Sequence, residues 1–519
     1  MKWALQNWHA LVASQLPGLL LSSMYFPSIP VPLGRVIVLN VAAAIGTMLL
    51  LLAAAARGWP AIQARATQIT VFVLLTLGYP LFATVCQIPR ESRTDSIAAL
   101  AYALAMVAIL RRIGRVNERD LSETMPITRI VVSGLTAISL VHFWSDSIQG
   151  FNRSWEAQVA RLSQPVPLGP GRADDPDILH IVLDGMASAE VLKGKFDADV
   201  SPELARFLEL GLRVESGAVA NYPQTYLALG SVLNAVYLDP LMPVLTGTAS
   251  KRPLRELIRR SGVISALKTR GYEFTFIGSS YSAASGHPAA DRCVCDAMPV
   301  GEFEQALLSI TPARALPTWT ALYEYHRSEI LNGFESIAAV RPSSKPRLVI
   351  AHTLAPHPPF VFDHRGDPVN PSRSYGIDDG RSFRGTREEY RRGYPSQARF
   401  VLERTARSVA AFLQSSTRSV VVLIHGDHGS GMDYDQNRVA ARDAAERLSV
   451  FLAYRIAGPG RAEVNTVGSP VNLYRAVFAD RFGADLQRLP TRSYLARFDT
   501  PYDFTEVTVP LPVGSAHHP

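Results

Sequence analysis

The stretch Ser419-Val-Val-Val-Leu-Ile-His-Gly-Asp-His-Gly-Ser-Gly431 determines how we expect the chain to fold. Its apolar run at residues 420–424, rich in β-branched side chains, is typical of a buried strand in a parallel sheet. Ligands of open α/β sheets bind just beyond the carboxyl ends of the strands, where Asp427 and His428 would stand. An adjacent carboxylate and imidazole can bind one divalent ion. Taken alone, such a pair more often forms a polar turn after a strand.

Segments typical of strands and of helices alternate from residue 178 onward. Strands are predicted at residues 178–183, 272–277, 346–351, 420–424 and 448–454, and helices at 203–210, 227–238, 254–269 and 396–414. This alternation over about 320 residues predicts an α/β domain with a mostly parallel sheet covered on both faces. Residues 362–392 are predicted to form a long polar loop, and loops of that length are often functional.

The first 145 residues carry most of the apolar excess behind the 47% hydrophobic content of this 519-residue chain. Five transmembrane helices are predicted there, at residues 11–26, 36–56, 69–86, 96–110 and 130–144. Lys and Arg are denser in the loops on the side of the amino terminus, which predicts that this side is cytoplasmic and that the part after residue 144 lies outside.

The composition therefore predicts four regions. They are a transmembrane anchor domain at 1–150, a Pro- and Gly-rich linker at 151–177, an exported domain at 178–495 and a C-terminal tail at 496–519. The net charge of +7 owes much to basic loops beside the membrane, so anionic lipid rather than nucleic acid is the expected partner of that charge. The spacing of Cys86, Cys293 and Cys295 fits neither a zinc ribbon nor a Cys-x-x-Cys motif, and leaves their pairing open.

Two further motifs place reactive side chains where ligands are expected. Asp184 follows the predicted strand at 178–183, although an acidic residue there can equally serve a turn. In Asn221-Tyr-Pro-Gln-Thr225 the proline ends an extended segment, so a helix should begin near Gln224 or Thr225. The Thr225 hydroxyl would then either cap the helix or meet an anion at its N-terminus. A hydroxyl beside a divalent ion can ionise and attack phosphorus.

A third motif, Ala351-His-Thr-Leu-Ala-Pro-His-Pro-Pro-Phe360, follows another predicted strand. Prolines stiffen this loop around His352 and His357. Anion binding or proton transfer by these imidazoles competes with an ordinary structural role.

Together the motifs resemble the alkaline phosphatase and sulfatase superfamily. The closer resemblance is to its membrane-anchored branch, which includes lipoteichoic acid synthases and phosphoethanolamine or phosphoglycerol transferases. The motifs that carry it are Leu183-Asp-Gly185, Asn221-Tyr-Pro-Gln-Thr225, Pro356-His-Pro-Pro-Phe360, Gly426-Asp-His-Gly429 and Glu446-Arg-Leu-Ser449. The resemblance implies a multi-pass protein of the bacterial cytoplasmic (inner) membrane with its catalytic domain in the periplasm.

Residue by residue, the resemblance implies Asp184, Asp427 and His428 as ligands of a divalent ion, Zn²⁺ or Mn²⁺, with a second ion left open. Thr225 becomes both a metal ligand and the nucleophile, and His357 contacts the substrate phosphate. Phosphoethanolamine transferases carry further histidines after Asp-His-Gly, and none lies between Gly429 and Gly514 here. Their absence weakens the assignment of ethanolamine as the transferred group. The formylglycine motif Cys/Ser-x-Pro-x-Arg of sulfatases is also missing around Thr225.

The expected function is metal-dependent transfer of a phosphate-containing head group from a membrane lipid to an envelope glycan or lipid acceptor. A hydrolase of phosphate or sulfate esters is the first alternative, because the same site could use water as the acceptor. A non-catalytic envelope scaffold is the second alternative.

Overall fold

The structure, a computed structural model, describes residues 8, 10–16, 33–85, 93–113, 115, 126, 129–137, 154–295, 320–371, 373, 375–458 and 464–510. The chain forms two compact units. One comprises Met1–Asn152 with Val300–Trp319, and the other comprises Arg153–Pro299 with Thr320–Pro519.

The first unit is helical where it is described. Its long helices are α1 (Leu33–Ala55), α2 (Trp59–Val85) and α3 (Arg93–Ile113). Several large apolar side chains on α1 and α3 are 50–69% exposed, among them Val41, Ile45, Leu49, Ile97 and Leu100. Within the part of the chain that the structure describes, none of the helices combines the length and the apolar character needed to cross a bilayer. Of the predicted spans, residues 17–26 and 138–144 lie outside the described residues, as does Cys86.

A seven-stranded sheet is the framework of the second unit. Its strands are β1 (Asp177–Leu183), β2 (Arg213–Val214), β3 (Glu273–Ile277), β4 (Arg292–Val294), β5 (Arg347–Thr353), β6 (Val420–Gly426) and β7 (Leu452–Arg455). They are arranged in the order β2-β7-β6-β1-β5-β3-β4. The pairs β6·β1, β1·β5, β5·β3 and β3·β4 are parallel, whereas β7 is antiparallel to β6 and β2. The predicted α/β fold with a mostly parallel sheet is confirmed.

Helices cover the sheet. They are α4 (Ser154–Leu162), α5 (Ala189–Phe196), α6 (Ser201–Glu209), α7 (Thr225–Val232), α8 (Met242–Leu245), α9 (Arg252–Arg260), α10 (Gly262–Thr269), α11 (Thr320–Ala338), α12 (Arg387–Ser415), α13 (Ala444–Leu448) and α14 (Leu473–Phe482). One face of β1, β5 and β6 joins a buried apolar cluster with α4, α7, α9, α10 and α14. Alternate side chains of a strand point to the opposite face, and α11 lies against β3 and β5.

Three predicted elements are wrong in their bounds. The helix predicted at 227–238 runs from Thr225 to Val232, and Ala235 beyond it has a positive φ of 55°. The helix predicted at 254–269 is broken at Ser261, whose hydroxyl caps α10 by accepting from the Ile264 N–H. The strand predicted at 448–454 begins only at Leu452, because α13 occupies the residues up to Leu448.

The helix predicted at 396–414 is longer than expected. It begins at Arg387, where Thr386 and Glu389 form a capping box, so part of the predicted polar loop at 362–392 is helical. The Thr386 hydroxyl accepts from the Glu389 N–H, and the Glu389 carboxylate accepts from the Thr386 N–H.

The region predicted as a linker makes specific contacts with the second unit. On α4, Trp155, Val159 and Leu162 belong to the buried apolar cluster. Further along, the Arg270 guanidinium donates to Asp175, from Nε to Oδ2 at 2.8 Å and from Nη2 to Oδ1 at 2.7 Å. In the predicted C-terminal tail, β9 (Thr505–Val507) pairs with β8 (Ser493–Leu495) in an antiparallel hairpin. The domain boundaries remain a prediction.

Candidate metal centre

Adjacent parallel strands bring two carboxylates together. Leu183 at the end of β1 is in register with Gly426 at the end of β6, so Asp184 and Asp427 follow side by side. Asp427 Oδ1 accepts from the backbone N–H groups of Gly185 and His428, both at 2.9 Å. These bonds fix the Asp427 carboxylate and leave its Oδ2 atom directed into the site.

The remaining carboxylate oxygens are buried and unsatisfied. Asp427 Oδ2 and Asp184 Oδ1 have no hydrogen-bond partner among the described residues, and the two side chains are 0% and 2% exposed. Leaving a buried carboxylate oxygen unpaired is costly, and a bound cation removes that cost. One donor atom each of Asp184, Asp427 and His428 lie within 4.8 Å of one another, which fits a divalent ion.

His428 is held in the tautomer that a metal ligand requires. Its Nδ1 lies 2.9 Å from the Gly429 carbonyl oxygen, which can only accept, so Nδ1 carries the proton. The unprotonated Nε2 lies 3.5 Å from Asp184 Oδ1 and 3.6 Å from Asp427 Oδ2. Metal-binding histidines characteristically donate their second N–H to a carbonyl in this way. Burial lowers the pKa of His428, and the nearby Arg447 guanidinium lowers it further, which favours the neutral form.

Thr225 is the first residue of α7. The sequence predicted a helix start at Gln224 or Thr225, and the second of these is observed. Its hydroxyl lies 3.5 Å from Asp184 Oδ2, and the residue is 4% exposed. The preceding Gln224 side chain donates to the carbonyls of Ala496 and Arg497. The first N–H groups of a helix lack partners within it and favour an anion.

The two predicted histidines lie beside Asp184, but in different settings. His352 is buried, with Nδ1 2.8 Å from Ser279 Oγ and Nε2 3.5 Å from Asp184 Oδ2. His357 is half-buried, and its backbone N–H donates to the Asp184 carbonyl at 2.9 Å. Burial opposes ionisation of Asp184, but His357, His352 and His428 together hold its pKa below the ordinary value. Asp184 is therefore a carboxylate at neutral pH.

An ion pair that we did not predict lies behind the site. Arg447 Nη1 is 2.6 Å from Asp379 Oδ2, and both side chains are buried. The same guanidinium donates from Nε to the Pro223 carbonyl at 2.9 Å, and its Nη2 lies 3.1 Å from His428 Nε2. Burial opposes ionisation of Asp379, yet Arg447 keeps its pKa below the ordinary value. The only sequence signal was the place of Arg447 in the Glu446-Arg-Leu-Ser449 motif, to which no role was attached.

Two glycines of the Gly-Asp-His-Gly motif have no room for a side chain. A Cβ on Gly426 would stand 2.1 Å from the Met186 carbonyl oxygen, and one on Gly429 would stand 2.3 Å from that of Glu446. Close backbone packing therefore requires glycine on both sides of the Asp427-His428 pair.

Two of the three cysteines are paired, one on β4 and one directly after it. Cys293 and Cys295 form a disulfide with each other, with their Cα atoms 5.4 Å apart.

Comparison of the sequence with protein-family models and with curated proteins finds no match. Among solved structures, the zinc complex of the C-terminal periplasmic domain of EcEptC from Escherichia coli is similar at 12% identity and a TM-score of 0.42, over 68% of this chain and 98% of that domain. The 2-O GAG sulfatase BT1596 is similar at 17% identity and a TM-score of 0.39, over 63% and 74% of the two chains. The periplasmic domain of the phosphoethanolamine transferase EptC from Campylobacter jejuni is similar at 10% identity and a TM-score of 0.31, over 55% and 82%.

A sulfatase and a phosphoethanolamine transferase are thus among the solved proteins that this chain resembles, as the motifs predicted. Because these TM-scores lie below 0.5, the function proposed for this chain rests on the geometry of its own site.

Proposed function

We propose that the protein is a metal-dependent enzyme that transfers a phosphate-containing group by way of Thr225. The observation that supports this most strongly is the set of unsatisfied donor atoms. Two buried carboxylates and a neutral imidazole converge next to a hydroxyl at the start of a helix. A hydroxyl at this place supplies the nucleophile that a phosphoryl-transfer site needs.

Asp184, Asp427 and His428 would hold the ion, and Thr225 would be a fourth ligand. Carboxylate and imidazole donors suit Zn²⁺ or Mn²⁺. When bound, such an ion supplies positive charge that lowers the pKa of a neighbouring hydroxyl and stabilises negative charge on phosphate oxygens.

The residues of the chain divide the remaining work. In the first step the Thr225 oxygen forms a bond to phosphorus and the bond to the leaving alkoxide breaks; the Thr225 proton passes by way of Asp184 Oδ2, 3.5 Å away, to water, and the alkoxide takes up a proton from water. In the second step the acceptor hydroxyl attacks phosphorus, the bond from phosphorus to the Thr225 oxygen breaks, and the acceptor's proton returns by way of Asp184 Oδ2 to the Thr225 oxygen. The N-terminus of α7 favours the phosphoryl anion, and half-buried His357 can reach a phosphate oxygen from the rim of the site.

A membrane lipid is the proposed donor, and an envelope glycan or lipid is the proposed acceptor. The support for a membrane setting is the apolar surface of α1 and α3, where several Val, Ile and Leu side chains are about half exposed or more. Apolar patches of this kind are typical of surfaces covered by lipid or protein. We place the first unit in the bacterial inner membrane and the catalytic unit on its periplasmic side.

The test compares full-length wild-type protein with Thr225→Ala on phosphatidylglycerol in detergent micelles. We expect Thr225→Ala to lose at least about 10³-fold in turnover while it still takes up the ion, at reduced affinity, through Asp184, Asp427 and His428. Mass spectrometry of the wild-type protein should detect a phosphate-containing adduct on Thr225. Full turnover by Thr225→Ala would contradict the proposal.

Hydrolysis differs only in the acceptor. If release of the lipid alcohol does not depend on an added acceptor alcohol, the protein is a hydrolase that uses water. A protein purified without any bound divalent ion, and unable to take one up, would instead favour the non-catalytic scaffold.

A further inference from the structure

A disulfide at the edge of the seven-stranded sheet joins two cysteines that are two positions apart. Cys293 lies on β4 and Cys295 directly after it, so the ring that the bond closes contains one further residue, Val294. A disulfide stabilises a fold largely by restricting the unfolded chain, and this effect grows with the length of the closed loop. A ring this small restricts little of the unfolded chain, so its effect is on the local conformation.

The disulfide is accessible on one side and packed on the other. Cys293 is exposed and Cys295 is half-buried. A Cβ on Gly278 would stand 3.3 Å from Cys295 Sγ, and one on Gly286 would stand 3.8 Å from that sulfur and 3.9 Å from Cys293 Sγ. Both ends of residues 278–286, which we call the 278–286 loop, therefore lie against the disulfide. Exposed disulfides are the ones that exchange readily with thiols.

The 278–286 loop is also held by hydrogen bonds to its neighbours. The Gly278 N–H donates at 2.9 Å to the carbonyl of Val294, the residue enclosed by the disulfide ring. The Ser280 hydroxyl donates to Glu329 on α11 at 2.9 Å. Because the first of these bonds depends on the conformation of Val294, opening of the disulfide loosens the start of the loop.

Side chains of the 278–286 loop reach the candidate metal centre. Ser279 is buried, with Oγ 2.8 Å from His352 Nδ1. His352 Nε2 lies in turn 3.5 Å from Asp184 Oδ2. The Ser282 hydroxyl is 2.9 Å from the hydroxyl of Tyr226 on α7, the helix that begins with the proposed nucleophile. An unbroken series of contacts therefore connects the disulfide with the metal centre.

We infer that Cys293 and Cys295 form a redox-active pair that exchanges with a dithiol reductant and thereby controls the affinity of the metal centre. In the oxidised protein the disulfide holds the 278–286 loop, and Ser279 orients His352 beside Asp184. Reduction frees the loop, and His352 loses this partner. The inference rests on the candidate metal centre and goes beyond the proposed function, because it does not depend on the reaction at Thr225.

Two exchange steps transfer two electrons and two protons to the protein. In the first step a thiolate of the reductant attacks Sγ of Cys293, the more exposed cysteine, and the bond between the two cysteines breaks. Cys295 leaves as a thiolate and takes up a proton. In the second step the other thiol of the reductant attacks the reductant's own sulfur in the mixed disulfide. Cys293 leaves as a thiolate and takes up a proton, and the reductant becomes a disulfide.

Thiol counting in the folded protein tests the redox pair. The full-length chain carries Cys86→Ser, so that Cys293 and Cys295 are its only cysteines. We expect dithiothreitol, without denaturant, to produce two thiols that react with a maleimide. Removal of the reductant and addition of oxidised glutathione should return this number to zero. A disulfide that opens only after the chain is unfolded in urea would overturn the inference.

Binding of Mn²⁺ to the same protein measures the effect on the metal centre. Mn²⁺ prefers oxygen ligands to thiols, so the reduced cysteines compete for it only weakly. With the reductant removed under argon, we expect reduced protein to bind Mn²⁺ about tenfold more weakly than oxidised protein, the loss found when a partner behind a metal ligand is removed. Amide hydrogen exchange of Gly278 should become faster, and reoxidation should reverse both changes. Equal affinity in the two states would overturn the inference, and absence of Mn²⁺ binding in both would overturn the metal centre as well.

Three variants test the route from the disulfide to the metal centre. Oxidised Ser279→Ala should bind Mn²⁺ as weakly as reduced protein and should not respond to reduction, because its contact with His352 is already lost. Ser285→Ala, an exposed position whose hydroxyl bonds within the 278–286 loop, should keep the full response. Cys293→Ser/Cys295→Ser should show the weak affinity with or without reductant. A full redox response in Ser279→Ala, or tight binding by the double serine variant, would overturn the inference.

Discussion

Asp427 performs two separate tasks with its two carboxylate oxygens. Oδ1 accepts two backbone N–H groups and so holds the turn after β6, whereas Oδ2 is directed toward the proposed metal. An asparagine can keep the first task and lose the second, because its carbonyl oxygen accepts as Oδ1 does. This separation allows the metal site to be tested without disturbing the fold.

We predict that Asp427→Asn folds but is no longer stabilised by added metal. Zn²⁺ at a hundredfold excess over its dissociation constant should stabilise the wild-type protein by about 2.7 kcal/mol, because the ion binds only the folded state. Thermal unfolding with and without Zn²⁺ measures this, and the variant should show almost no shift. Asp427→Ala is the comparison that loses both tasks and should be less stable than Asp427→Asn even without metal. An equal response to Zn²⁺ in wild type and Asp427→Asn would rule out this ligand.

We predict that Gly426→Ala is destabilising by about 1–3 kcal/mol or more, because a Cβ there meets a backbone carbonyl that cannot move aside. The matched control is Gly194→Ala in α5, where a Cβ meets nothing within 4 Å among the described residues. That control should be neutral or stabilising by up to about 1 kcal/mol, since alanine favours a helix over glycine. Urea unfolding of both variants provides the comparison, and similar midpoints would contradict the steric argument.

At the scale of elements, Arg447 joins the segment before α7 to the turn after β6. It donates to the carbonyls of Pro223 and Gly429 while it is paired with Asp379. The segment that leads to the proposed nucleophile and the turn that carries two of the proposed metal ligands thus share one buried cation.

Removal of Arg447 should cost more than its hydrogen bonds alone. We predict that Arg447→Met destabilises the protein by about 3–5 kcal/mol, because the buried Asp379 carboxylate loses its counter-charge. The double variant Arg447→Met/Asp379→Leu should recover part of that stability, since no buried charge is then left unpaired. A double-mutant cycle measured by urea unfolding tests this, and simple additivity of the two changes would refute it.

β1 and β6 also share a buried chain of hydrogen bonds. His425 Nδ1 donates to the Gly426 carbonyl, so its Nε2 accepts from His180 Nε2 at 3.0 Å, and His180 Nδ1 accepts from the Tyr474 hydroxyl at 2.9 Å. This direction of donation requires both imidazoles to be neutral. Burial holds the pKa of His180 well below its ordinary value, with a further contribution from His425.

Acidification should therefore destabilise the fold. Below about pH 6.5 His180 takes up a proton in the unfolded chain but not in the folded protein, so stability is complete above that pH and is lost as the pH falls. One such group contributes up to about 1.4 kcal/mol per pH unit. We predict that His180→Gln has a shallower loss of stability between pH 7.5 and 5 than wild type. Parallel pH dependence in the two proteins would show that His180 is not the group responsible.

The residues of the candidate metal centre could be named from the sequence because they follow local signals. Asp184, Asp427 and His428 come directly after apolar strands, and Thr225 follows a proline at a helix start. Arg447 and Glu329 carried no such signal, because their partners lie elsewhere in the chain. Arg447 binds Asp379, 68 residues away, and Glu329 binds Ser280, 49 residues away. The break at Ser261 was missed for a related reason, since its hydroxyl is held by the Leu233 carbonyl as well as by α10.

At the scale of the whole molecule, the first unit exposes apolar side chains on α1 and α3. We predict that the full-length chain, expressed in a bacterium, sediments with the membranes and stays there after an alkaline wash, because exposed Ile and Leu side chains of α1 and α3 would be buried in lipid. Protease added to the outer side of the inner membrane should then cleave the second unit. Release by the alkaline wash, or complete protection of the second unit, would count against the membrane assignment.

The order of strands in the sheet also affects how the chain folds during its synthesis. β1 lies between β5 and β6. The backbone N–H of Arg347 donates to the Asp177 side chain, 170 residues away in the sequence. The backbone N–H of Gly185 donates to the Asp427 side chain, 242 residues away. During synthesis β1 emerges with both of its edges unpaired and must wait for most of the chain. An apolar strand in that condition is prone to aggregate, and pairing over such separations is slow. Production of this protein should therefore depend on a chaperone that shields β1 until Gly426 has been made.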